Sequence, residues 1–154
     1  MSTTYIEVEL SGEEGLISRL KQIDRTMRTD AAEKMVIVGA EKIRDHAILN
    51  IHETFSEKQT GGMSNSIKVE SQRFSDGAEA TAKVQKIYAR IQERGGTIRP
   101  RKAKLLHFFV DGKEIFAKKV TLPARPYLKP AIDDNKPEII KAMADVAETY
   151  IRRA

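Results

Sequence analysis

Leu105-Leu106-His107-Phe108-Phe109-Val110-Asp111-Gly112-Lys113-Glu114-Ile115-Phe116-Ala117-Lys118-Lys119-Val120 consists of two runs of strand-forming residues joined across an Asp-Gly pair. Aspartate and glycine tolerate the positive φ that a tight hairpin turn demands. The stretch therefore predicts a β-hairpin, Leu105 to Val110 against Glu114 to Val120. Neighbouring residues of a strand point to opposite faces, so at least one of Phe108 and Phe109 belongs to a core.

Working outward, Ile67, Val69 and Ser71 alternate, as do Ala80, Ala82 and Val84, with Ser75, Asp76 and Gly77 between them as turn residues. A further hairpin follows. Ile6, Val8 and Leu10 alternate with Glu7 and Glu9, which reads as a short edge strand. The stretch from Ser56 to Asn65, with Gly61 and Gly62, has no periodicity and reads as a loop.

Helical spacing fills the rest. Ser11 and Glu14 are spaced as a capping box, and Leu16, Ile17, Leu20, Ile23 and Met27 share a face, predicting a helix over about Glu13 to Arg28. Asp30 and Glu33 repeat the capping spacing ahead of Ala32, Val36, Ala40, Ile43, Ala47 and Ile51, a long helix to about Thr54. Met35, Ile37, Val38, Ile48 and Leu49 lie off that stripe, so this helix must be covered on several sides, by a sheet or by a neighbouring subunit.

Pro123, Pro126 and Pro130 cannot all sit in a strand ladder, which predicts an extended, partly unpaired chain there. Asn135 and Glu138 open a last helix with the stripe Ile139, Met143, Val146 and Tyr150, closed by Arg152 and Arg153 at its negative end. The expected fold is a single α+β domain over residues 1–154. Its antiparallel sheet, made of two hairpins, packs against the long helix and the C-terminal helix.

Composition narrows the function. At 154 residues, 40% hydrophobic and 32% charged, the chain is too apolar for disorder and large enough to bury one core. Its longest apolar run, Met35 to Ala40, falls far short of the roughly 20 residues that cross a bilayer. The N-terminus carries neither a basic start nor an apolar run, so residence in the cytoplasm is expected. Without cysteine there is no disulfide, thiolate ligand or cysteine nucleophile. The net charge of +5 suits either an acidic protein partner or nucleic acid.

No constellation reads as catalytic. His46 and His52, six residues apart, lie about 120° apart around a helix that turns about 100° per residue, so they do not share a ligand face. His107 stands alone in its strand, and a hydrolase would need it to find a remote carboxylate. Glu13-Glu14 and Asp133-Asp134 fall beside helix starts, where acidic charge is stabilising. Gly61-Gly62 and Gly95-Gly96 match no phosphate-cradling pattern. No cofactor or metal is expected. For nucleic acid the case is Arg94, Arg99, Arg101, Lys102 and Lys104 followed by His107, Phe108 and Phe109, cations beside rings.

Three segments carry a resemblance. Tyr88-Ala89-Arg90-Ile91-Gln92-Glu93-Arg94-Gly95-Gly96-Thr97-Ile98-Arg99-Pro100 resembles a YA-x-I-x-E-x-GG-T-I-x-P pattern. Pro123-Ala124-Arg125-Pro126-Tyr127-Leu128 resembles P-A-R-P-[FY]-L, after a hairpin. Thr60-Gly61-Gly62-Met63-Ser64-Asn65-Ser66-Ile67 is similar to TG-x-L-x-x-S-I, with Met63 in place of leucine. In order and spacing these are similar to the virion morphogenesis proteins of tailed phages, the Mu-like tail-completion and head-to-tail joining (neck) proteins. About half the chain is covered.

The resemblance implies a non-enzymatic structural protein of a phage or prophage. It would complete the tail or join it to the head, form a homo-oligomeric ring, and partner other tail and head-connector proteins. It would reside in the virion after assembly in the host cytoplasm, with DNA contact secondary and no membrane. Gly61, Gly62, Gly95, Gly96, Pro123 and Pro126 are then expected to shape the fold. Arg94, Arg99, Arg101, Lys102, Arg125 and Tyr127 are the candidate contacts to partners or subunits. Tyr127 and Leu128 could also anchor the chain in the core.

Overall fold

The computed structural model describes residues 4–5, 18–19, 21–55, 62–75, 77–86 and 88–154. Helix α1, Arg25–Thr54, is its spine. Asp24 caps it, its Oδ2 accepting from the Thr26 N–H at 3.0 Å. The helix thus starts one and a half turns before the expected Asp30, and residues 25–28 belong to it rather than to a separate first helix. Asp30 and Glu33 instead reach sideways to Arg73 on the neighbouring hairpin, so their capping-box spacing is a surface ion-pair pattern. Of the expected first helix, residues 18, 19 and 21 are helical and 22–24 break it; the remainder, like the Ile6 to Leu10 alternation, lies outside the described residues.

The first hairpin matches its expectation. Strands β2, Ile67–Arg73, and β3, Ala78–Val84, pair antiparallel from Ile67↔Val84 to Arg73↔Ala78, and β1, Thr4–Tyr5, adds at the far edge of β3. Ile67, Ala82 and Val84 turn inward onto Ile43, Ala47 and Ile51 of α1. Within the expected loop, 56–61 lie outside the described residues, but 62–64 form a helical turn that sinks Met63 into the core.

The last helix, α4 (Lys136–Arg153), crosses α1 with Ile139, Met143 and Ala147 buried. The crossing is tight: a Cβ on Gly39 would stand 2.7 Å from Met143 Sδ. Lys42 and His46 of α1 both hold Glu138 of α4, at 2.7 and 3.1 Å. Of the residues of α1 that looked surplus, Met35 and Ile48 pack against the core within the chain, while Leu49 stays exposed.

Helix α3, Leu128–Asp133, forms where an extended chain is expected. Pro130 falls in its first turn, where a missing N–H costs nothing. The other short elements are α2, Ala89–Arg94; β4, Gly96–Ile98; β5, Leu106–Val110; β6, Lys113–Ala117; and β7, Val120–Leu122. Asp111 and Gly112, with φ of 50° and 78°, make the anticipated two-residue turn between β5 and β6. The expected return strand, Glu114 to Val120, is in fact divided. Bends over 101–105 leave β5 nothing to offer beyond Leu106↔Ala117, so residues 120–122 leave and pair with β4 instead, Gly96↔Leu122 to Ile98↔Val120. The fold is α+β, and among the described residues the antiparallel strands form three small sheets. Among the described residues no helix is long and apolar enough to cross a membrane.

Candidate functional site

Glu93, the last acidic residue of α2, is buried, and its carboxylate faces the start of α3. Its Oε2 accepts from the N–H groups of Tyr127 at 2.8 Å and Leu128 at 3.0 Å, and its Oε1 accepts from Lys129 N–H at 3.0 Å. Three amides that a helix start leaves without partners are thereby satisfied by one side chain from 34 to 36 residues earlier. Beside it the Arg125 N–H donates to the Gln92 carbonyl at 2.7 Å. These four bonds close the chain on itself at the foot of everything between.

The segments of the three motifs meet at this foot. Tyr127 is fully buried, its ring edge-on to Phe55 at 6.4 Å between centroids, and Asn50 Nδ2 donates to its carbonyl at 2.9 Å. Burial, and then the neighbouring Glu93 carboxylate, push the Tyr127 phenol above its ordinary range. Ala89 and Met63 lie in the same core cluster, and a Cβ on Gly62 would stand 3.2 Å from Tyr88 Oη. Gly95 has φ 69° and ψ −179°, a region essentially closed to other residues, and a Cβ there would come within 2.6 Å of Ala124 N. Gly61 lies outside the described residues. Pro123 and Pro126 are exposed on the return path.

From Arg94 to Pro126 no residue is buried. This arm carries β4 with β7, the Arg99 to Lys104 bends and the β5–β6 ribbon. Arg94, Arg99, Arg101, Lys102 and Arg125 are exposed on it, and Arg125 lies 5.9 Å from the centroid of the Phe55 ring. Tyr127, counted among the candidate contacts, has no surface to offer a partner and serves the core instead. On the ribbon, the cross-strand pairs His107↔Phe116 and Phe109↔Glu114 place these four side chains on one face. His107 and Phe116 stack with centroids 4.7 Å apart, Glu114 bonds His107 Nε2 at 2.7 Å, and Phe109 is 66% exposed. Phe108 is on the other face and half-buried.

The remote carboxylate that His107 needed is thus Glu114, but it lies on an open ribbon face. His46 and His52 are occupied separately, by Glu138 and by Ser64 Oγ at 3.5 Å. Among the described residues no group of three or more His, Asp or Glu is placed to hold a metal ion. Glu93 is the residue that sequence reading passed over. Its partners are remote in the chain, so nothing in the residues beside it signals its role. The sequence matches no family model, and no curated protein or solved structure matches it significantly.

Proposed function

We propose that the chain is a non-enzymatic assembly protein of a tailed phage or prophage, completing the tail or joining it to the head as a ring of identical copies. The support for this is that two of the segments on which the resemblance rests, far apart in sequence, meet at the Glu93 carboxylate, and the third packs beside them through Gly62 against Tyr88. A shared pattern with a shared structural reason is less easily fortuitous than scattered glycines and prolines. Rings form when a heterologous contact between copies closes on itself. Leu49 of α1 and Ile140 of α4 stand exposed on the body and are the apolar residues we assign to that contact. Its destination is the neck or tail of the virion.

The experiment pairs light scattering on the purified chain with mass spectrometry of particles from the encoding phage or induced prophage. A defined oligomer, weakened by Leu49→Glu, together with peptides of this chain in intact particles, is the expected result. A strict monomer absent from particles removes the proposal.

A further inference from the structure

The arm concentrates charge in a way the total conceals. Residues 94–119 hold eight Lys and Arg against Asp111 and Glu114, a net +6 in a chain whose total is +5, which leaves −1 for everything else. All eight cations are exposed, and none makes an ion pair among the described residues. Elsewhere among the described residues, Lys42, Arg44, Arg73, Lys83, Lys129, Lys141 and Arg152 each have a carboxylate, so the body neutralises part of its charge internally and the arm none of its eight. Unpaired cations crowded on one segment repel one another, and a polyanion relieves that repulsion by taking the place of many small counterions.

The same segment exposes Phe109 at 66% and Phe116 at 58%, on one ribbon face with His107. Phosphate alone gives rings no role, and a duplex hides its base faces. An unpaired strand offers both charge for the cations and bases to stack. A second copy of this chain fits less well: arm on arm sets like charges together, and the rest of the molecule, at net −1, is close to neutral and supplies little net attraction. We infer that the arm is a binding site for single-stranded nucleic acid, its backbone following the cations of Arg99 to Lys104 and its bases lying on Phe109 and Phe116. This holds whether or not the chain assembles into a phage neck.

The test is fluorescence anisotropy of the full chain with a labelled oligothymidine of about 20 nucleotides, longer than one footprint, across a salt series. Each neutralised phosphate contributes about 0.7 to the slope of log affinity against log salt for a single strand, so R99A/R101A/K102A flattens the slope by about two. Phe109→Leu and Phe116→Leu keep apolar bulk in the strands but remove the rings, and each weakens binding about tenfold. Lys68→Ala, on β2, changes nothing. Circular dichroism confirms that each variant retains its fold, since all the altered side chains are exposed or half-exposed. Absence of binding at low salt overturns the inference, as does equal binding of a duplex with no loss in the leucine variants. Self-association abolished by the leucine variants, without oligothymidine binding, also overturns it and assigns the ribbon to a second copy.

Discussion

Glu93 does with one carboxylate what helix starts usually do with a local serine or aspartate. Its removal leaves three amides at the start of α3, two of them on buried residues, without their acceptor. A buried donor left unpaired costs about 1–3 kcal/mol, and the three are coupled, so Glu93→Ala is expected to lower stability by about 3 kcal/mol in urea unfolding. Glu93→Gln keeps one acceptor oxygen and should fall between alanine and the parent. A loss below about 1 kcal/mol for alanine would mean that water replaces the carboxylate, and the cap would not be what holds the foot together. Gly95→Ala is argued from geometry alone, since its Cβ meets the backbone of Ala124 rather than a movable side chain. It should cost about 2–3 kcal/mol in the same assay, and a neutral outcome would show that the foot can open.

At the scale of elements, ion pairs fasten α1 on two sides: Glu33 and Asp30 to Arg73 of β2, and Glu138 of α4 to Lys42 and His46. The hydrogen bond from Arg73 holds Glu33 below its ordinary value of 4.5, and those from Lys42 and then His46 do the same for Glu138. A carboxylate whose folded value is depressed adds stability above its unfolded value and gives it up as pH falls through the folded one. The midpoint of thermal melting should therefore drop as pH is taken below 4.5, and Glu33→Gln with Glu138→Gln should make that drop shallower. Both sites are open to solvent, so salt should reduce the difference, and an unchanged slope in the double variant would exclude these pairs. These same elements show what sequence can and cannot carry. The first hairpin and α4 were legible because periodicity and turn residues agreed with their packing. The start of α1 was misread because Asp30 and Glu33 have a capping-box spacing, while the true cap, Asp24, has no glutamate three residues on. Helix α3 is six residues long, contains a proline and is capped from another element, so no local signal announces it. Strand β7 runs on from β6 in sequence, and only the bend at 101–105 sends it to another partner.

For the whole molecule, protection is expected to be uneven. The α1, α4 and β2–β3 elements surround the buried cluster, while the arm from Arg94 to Pro126 buries nothing and relies on two-stranded ribbons that are marginal by themselves. Native-state hydrogen exchange should show β4–β7 and β5–β6 amides opening well before those of α1, with Tyr127, Leu128 and Lys129 protected like the body. Uniform protection would mean that arm and body open as one unit. The candidate contacts were legible as exposed cations, whereas their lack of ionic partners and the shared face of Phe109 and Phe116 needed the strand register. The closure at Glu93 and Gln92 also bears on how such a chain can change over generations. A closed loop loses entropy only as the logarithm of its length, so doubling the number of residues between these anchors would cost about 0.6 kcal/mol. Descendants could lengthen, shorten or rewrite everything above the foot with little effect on folding below it, so that reach and specificity could diverge while the scaffold stayed the same.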